Sequence, residues 1–216
     1  MKKNLSAFDR NLLDKRIAEA ELQTKAQIVI AVVKRCDNYA EIPWKAFAIG
    51  ASASGLAVVT TDLIMKDWIT DTPLLVSVTA VLAIGTFLAL LTLVFNGFAR
   101  LFLPKSRRES ETRQYAESLF LFRELFTTEG RKGILLLVSQ FERQVVIHSD
   151  AGVRKWLSAD VMEKIISKMT PHLRRNEVKN AMMTGLDELV TALSPPVAEG
   201  PDKNELSNQI IEEDGV

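Results

Sequence analysis

The stretch Leu74–Phe95, LLVSVTAVLAIGTFLALLTLVF, decides how the rest of the chain is read. It holds 22 residues without a charge, inside a longer uncharged run from Thr72 to Ala99. As a helix it is long enough to cross the roughly 30 Å of a bilayer's hydrocarbon core. A buried helix of a soluble protein seldom lacks a polar face for so long. The block before it, Ala46–Met65 (AFAIGASASGLAVVTTDLIM), is a weaker second candidate, rich in small residues and carrying Asp62 near its end. Gly50, Ser54 and Gly55 there would let a neighbouring helix approach closely, the usual basis of packing in lipid. The two spans, about 46–65 and 74–95, form a hairpin within 44–100.

Charge on either side of the hairpin orients it. Lys34, Arg35 and Lys45 precede the spans and Arg100, Lys105, Arg107 and Arg108 follow them, while the short loop between carries Asp62, Asp67 and Asp71 against Lys66. Lysine and arginine collect on the cytoplasmic side of membrane proteins. Both termini, and any soluble domain they build, are therefore expected in the cytoplasm.

The totals narrow the rest. In 216 residues, 27 lysines and arginines balance 27 aspartates and glutamates, so no global field draws the chain to nucleic acid or to acidic substrates. Cys36 is the only cysteine, which excludes an internal disulfide and a cysteine-clustered metal site. It reads as a small residue after a strand. The N-terminus has no apolar core before charges return at Asp9 and Arg10, so it is not expected to be a signal peptide.

Around the hairpin the pattern is that of a soluble α/β domain. Phe8, Leu12, Leu13, Ile17 and Ala20 recur at helical spacing, with Ser6 and Asp9 placed as a capping box, which predicts a helix over about 7–24. Ala26–Val33 (AQIVIAVV) reads as a strand buried on both faces. Beyond the hairpin, Tyr115, Leu119, Phe122 and Phe126 describe the core face of a helix ending near Gly130. Gly133–Ser139 (GILLLVS) reads as a central strand, and Gln144–Ser149 as its partner across the turn 140–143. Helices are predicted around 159–170 and 176–193, and the acidic segment 195–216 is expected to be a disordered tail. Neither half makes a core alone, so 1–43 and 106–194 are expected to fold together as one layered α/β structure that the hairpin interrupts.

These residues resemble a known family. Ile17–Thr24 (IAEAELQT), Gln27–Ile30, Asp37–Ala40, Thr128–Ser139 (TEGRKGILLLVS) and Glu142–Gly152 (ERQVVIHSDAG) together look like the TPM domain, and like a bacterial membrane subgroup in which a transmembrane pair splits that domain. The resemblance covers roughly 5–194 and rests on the order of elements more than on any one motif. It implies a three-layer α/β/α fold with a small mixed sheet, in a bacterial inner membrane. For some members it further implies acid-phosphatase activity or divalent-metal binding through loop aspartates. Where many members carry an aspartate before the glycine of the central strand, this chain has Lys132, which removes a hard oxygen ligand and repels Mg²⁺ or Ca²⁺.

The candidates for chemistry are Asp150 and His148 as catalytic groups, with Asp150, Glu129 and Asp37 as metal ligands, Asp37 joining them if its strand runs the right way. An aspartate before Ala-Gly is also a common turn residue. No P-loop, His-Glu-x-x-His or serine elbow is present. Two function classes follow. One is a non-catalytic interaction or assembly module for membrane protein complexes, with LemA-type membrane proteins as the partner that the resemblance suggests, no nucleic acid, and homo-oligomers compatible with a single hairpin. The alternative is a metal-assisted phosphatase; no cofactor is expected, and Mg²⁺ or Ca²⁺ is the cation if one is used.

Overall fold

The structure, a computed structural model, describes residues 6–64, 74–175, 177–193 and 210–215. The chain falls into two compact units, one formed by 1–36 with 109–216 and the other by 37–108.

In the first unit, α1 (Ala7–Thr24) starts at the capping box read from the sequence. Ser6 Oγ accepts the Asp9 N–H at 3.1 Å, and Asp9 accepts in return from the Ser6 backbone. Lys25, in the left-handed region at φ 53°, ends the helix and turns the chain into β1 (Gln27–Arg35). β1 pairs in parallel with β2 (Gly133–Ser139), in register from Gln27 opposite Gly133 to Val33 opposite Ser139. β3 (Gln144–Ser149) returns antiparallel beside β2. The mixed four-stranded sheet has the order β3-β2-β1-β4, where β4 is Ile211–Gly215.

Strand periodicity divides the core into two. Ile28, Ile30, Val32, Ile134, Leu136 and Val138 face α1, α6 (Ala159–Arg174) and α7 (Val178–Leu193). Val29, Ala31, Val33, Leu135 and Leu137 face α5 (Lys105–Phe122). Both faces of β1 and β2 are covered, which is why these strands are unbroken apolar runs rather than alternating ones. The fold is thus the three-layer α/β/α arrangement, with α5 as the helix that a parallel pair requires between its strands.

Two expectations need correction. The α5 core face is Thr112, Ala116, Leu119 and Phe120, while Phe122 is 77% exposed and Phe126 39% exposed. Helix α5 stops at Phe122, because Glu124 takes a left-handed conformation, and short 3₁₀ turns fill the way to β2. The four-three-four spacing of aromatics marked a face one step away from the small residues that let α5 lie close to the sheet. The second correction concerns the tail expected to be disordered: Ile211–Gly215 pairs in parallel with β1, and Glu212 and Glu213 are held by Arg10 and Arg123. Residues 195–209 of that tail, and 65–73 of the acidic loop between the spans, lie outside the described residues.

The second unit contains α2 (Glu41–Ile64), α3 (Leu74–Val94) and the short α4 (Asn96–Ala99). At 24 and 21 residues, the two long helices extend about 36 and 31 Å. Both are long and apolar enough to cross a membrane. Unlike core helices, they leave Leu56, Val59, Leu63, Ile64, Leu75, Leu82, Phe87 and Leu93 exposed, an apolar surface that water does not favour. They meet through glycines: a Cβ on Gly50 would lie 3.2 Å from Gly85 Cα, and one on Gly85 would lie 3.0 Å from the Phe47 ring. Gly55, by contrast, has open space where a Cβ would sit. Gly85→Val should therefore destabilise the helix pair by about 1–3 kcal/mol by overpacking, with Gly55→Val close to neutral, as read from thermal unfolding in detergent.

Candidate functional site

The loops at the end of the sheet where β1 and β2 begin are stitched together by backbone. Gly130 and Arg131 both adopt left-handed conformations, φ 72° and 53°. That turn brings the Arg131 carbonyl to the Gly152 N–H at 2.9 Å, while the Asp150 N–H donates to the Gly133 carbonyl at 2.9 Å. A side chain on Gly133 would strike the Leu125 carbonyl, and one on Gly152 the Gly130 and Arg131 carbonyls. The glycines of the TEGRKG and SDAG motifs are thus explained by close backbone approach rather than by ligand binding.

This stitching places Arg131 over Asp150. The guanidinium binds the carboxylate through both ends, Nε to Oδ2 at 3.1 Å and Nη2 to Oδ1 at 2.9 Å, and the Ala151 N–H adds a third donor at 2.6 Å. The Asp150 side chain is 5% exposed while that of Arg131 is 62% exposed, so a buried acid is covered by a solvent-facing cation. Beside them lies a cavity of about 470 Å³, lined by Glu117, Phe120, Leu121, Phe126, Arg131, His148, Ser149, Asp150 and Arg154. His148 projects from β3 toward α5 and packs edge-on against Phe120, ring centroids 4.7 Å apart. Burial, with Arg154 and Arg113 nearby, holds its pKa below the ordinary value, against the pull of Glu117 and Asp150.

Of the candidates read from the sequence, the structure brings Asp150 and His148 into one cavity. Glu129 is exposed on the 3₁₀ turn before Arg131 and does not line the cavity. Asp37 follows the opposite, C-terminal end of β1 and belongs to the other compact unit, where Arg107 approaches it at 3.3 Å. The antiparallel return of β3 is the reason: Ser149 ends opposite Ile134, at the start of β2. Among the described residues no three His, Cys, Asp or Glu side chains gather as a metal site. Arg131, Arg154 and Glu117 belong to the cavity and were not singled out from the sequence, since nothing in the spacing of an arginine shows which acid it will cover. Cys36 is buried and its thiol is pushed up to about 12, mainly by burial, so it is a protonated core residue.

Comparison with known proteins adds the family. The family model described as the TPM domain matches residues 99–192. Over those residues the chain is similar to the TPM domain. The matched segment begins after α3 and includes β2, β3, α6 and α7; α1 and β1 lie outside it, and β1 pairs in parallel with β2. A solved structure, the NMR structure of the BA42 protein from the psychrophilic bacterium Bizionia argentinensis, aligns over 98% of this chain and 97% of its own, with a TM-score of 0.58 and 14% identity, a likeness of fold. No curated protein matches the sequence. Within the matched segment the cavity is built by α5 and the loops that carry the two glycine motifs, with Lys132 directly before β2.

Removing Arg131 leaves a buried carboxylate short of two donors. Arg131→Ala should cost about 1–3 kcal/mol, and adding Asp150→Asn should recover part of that loss, as measured by denaturant unfolding in detergent. For His148, the unfolded chain takes up a proton near pH 6.5 that the folded chain resists. Stability held above pH 6.5 should therefore fall as the pH drops below it. An NMR titration should place the His148 midpoint under 6.5, and His148→Phe should flatten the fall in stability below that pH.

Proposed function

We propose that this chain is a membrane-anchored TPM domain acting as a non-catalytic interaction module in the assembly or maintenance of membrane protein complexes. The hairpin spans the bacterial inner membrane, and both termini and the TPM domain are cytoplasmic, in keeping with the basic flanks Lys34, Arg35 and Lys45 before it and Arg100 to Arg108 after it. The observation that carries the functional reading is the state of Asp150. Its oxygens are engaged by Arg131 and the Ala151 N–H, so the acid that would serve a metal or a phosphoryl group already serves the fold.

What the cavity offers outward is different chemistry. Leu121 and Phe126 on its wall and the neighbouring Phe122 are exposed at 62%, 39% and 77%. Arg154, which forms no ion pair with another described residue, and the exposed Arg131 stand on the same wall. Exposed aromatic and aliphatic side chains rimmed by arginine are the composition of a protein-docking surface. A partner segment presenting an apolar side chain next to a carboxylate would fit it, and a LemA-type membrane protein is the partner to try first.

Co-expressed with a LemA-type protein and extracted in detergent, the wild-type chain should migrate with it at fixed stoichiometry, and Phe122→Asp with Phe126→Asp should weaken that association at least tenfold. A reporter fused after Val216 should be active on the cytoplasmic side. Turnover of a generic phosphomonoester with Mg²⁺ or Ca²⁺ by wild type, lost in Asp150→Ala, would replace this reading with the phosphatase.

A further inference from the structure

Strand β4 sits on the outer edge of β1 by a recognition pattern that repeats on both faces. Ala31 stands opposite Ile211, Val32 opposite Glu212, Val33 opposite Glu213 and Arg35 opposite Gly215, all in parallel. Strand alternation sends Ile210 into the core shared with α1, α6 and α7, and Ile211 into the core shared with α5. The two acids then divide in the same way. Glu212 pairs with Arg10 of α1. Glu213 accepts the Tyr115 hydroxyl at 2.8 Å and Arg123 Nη2 at 3.2 Å, both on the α5 side. Burial and the Glu213 carboxylate push the Tyr115 phenol up, so it stays a hydrogen-bond donor. Gly215 closes the motif at φ 83°, where a side chain would collide with the Arg35 carbonyl. The groove thus reads two apolar residues, two acids and, two positions on, a glycine, with one apolar seat and one arginine on each face.

Two features say that this occupant can leave. The pairing is short, and the Arg10–Glu212 contact is incomplete: among the described residues, Arg10 Nε and Glu212 Oε1 are both buried without a hydrogen-bond partner. Residues 194–210 separate β4 from α7, seventeen residues that can span at most roughly 60 Å. That reach permits β4 to pair with a neighbouring copy's β1 as well as with its own. A vacated β1 would be an edge strand whose flanking side chains are nearly all buried, a template that another strand readily joins.

We infer that the outer edge of β1 is a strand-docking groove for an acidic C-terminal segment, and that β4 exchanges between two copies of this chain. The exchange is separate from the cavity beside Asp150, so either proposal can fail alone. The probe is a fluorescent peptide of residues 207–216, added to the chain ending at Gln209 in detergent. It should bind saturably, and at least tenfold more weakly to the full chain, where the tethered strand competes at an effective concentration on the order of millimolar. Peptide carrying Glu212→Lys and Glu213→Lys should bind only to the chain carrying Arg10→Glu and Arg123→Glu. Absence of binding by a folded shortened chain, or binding indifferent to charge reversal, would overturn the groove. Should the shortened chain not fold, exchange is read in full chains with Cys36→Ser, one copy bearing Arg10→Cys and the other Glu212→Cys. A disulfide between the two copies is expected. If the cysteines cross-link only when both are on one chain, the strand does not exchange.

Discussion

The parallel pairing of β1 with β2 is the contact on which everything else in the first unit rests. Gln27 meets Gly133 and Val33 meets Ser139 across an interruption of nearly a hundred residues. A parallel pair forces a crossover, and loop closure becomes only slowly costlier with length, so an insertion between the strands is thermodynamically tolerable. The favourable term is large because both strands are buried on both faces, with Ile28, Ile30, Leu135 and Leu136 among the fully enclosed side chains. Once β1 is beside β2, α1 has a surface to cover and α5 has the opposite one.

The polar groups inside this sheet follow from the same pairing. At the C-terminal ends of the two strands, fully buried Glu142 accepts the Cys36 N–H at 2.9 Å and the Ser139 hydroxyl, tying the turn after β2 to the residue after β1. At the other end, Asp150 and Arg131 tie the loop after β3 to the loop before β2. Glu142 and Asp150 both have donors, as burial demands. Both serve the closure of loops around the strand ends, which is the physical ground for the proposal that this domain is a binding module. An acid already neutralised by a covering arginine is a poor ligand for a hard cation.

Glycine plays two roles in the two units. In the hairpin, Gly50 and Gly85 make room for Leu88 and Phe47 of the facing helix and so let the two helices approach closely. Around the cavity, Gly133 and Gly152 let two loops share backbone hydrogen bonds. Only a structure separates these from Gly55, where an added Cβ would meet nothing of another element within 4 Å.

The sequence by itself determined the elements whose signal is local. The capping box at Ser6 and Asp9, the uncharged run through α3, the apolar runs of β1 and β2 and the turn before β3 each carry their structure in adjacent residues, because helix capping and strand burial are set by near neighbours. The tertiary structure decided what depends on residues far apart. Arg10 and Arg123 hold the acids of that tail from 202 and 90 positions away. Arg131 covers Asp150, and the antiparallel direction of β3 separates Asp150 from Asp37. A carboxylate's role depends on which cation the fold brings to it, and ion pairing across the chain leaves no period in the sequence to read.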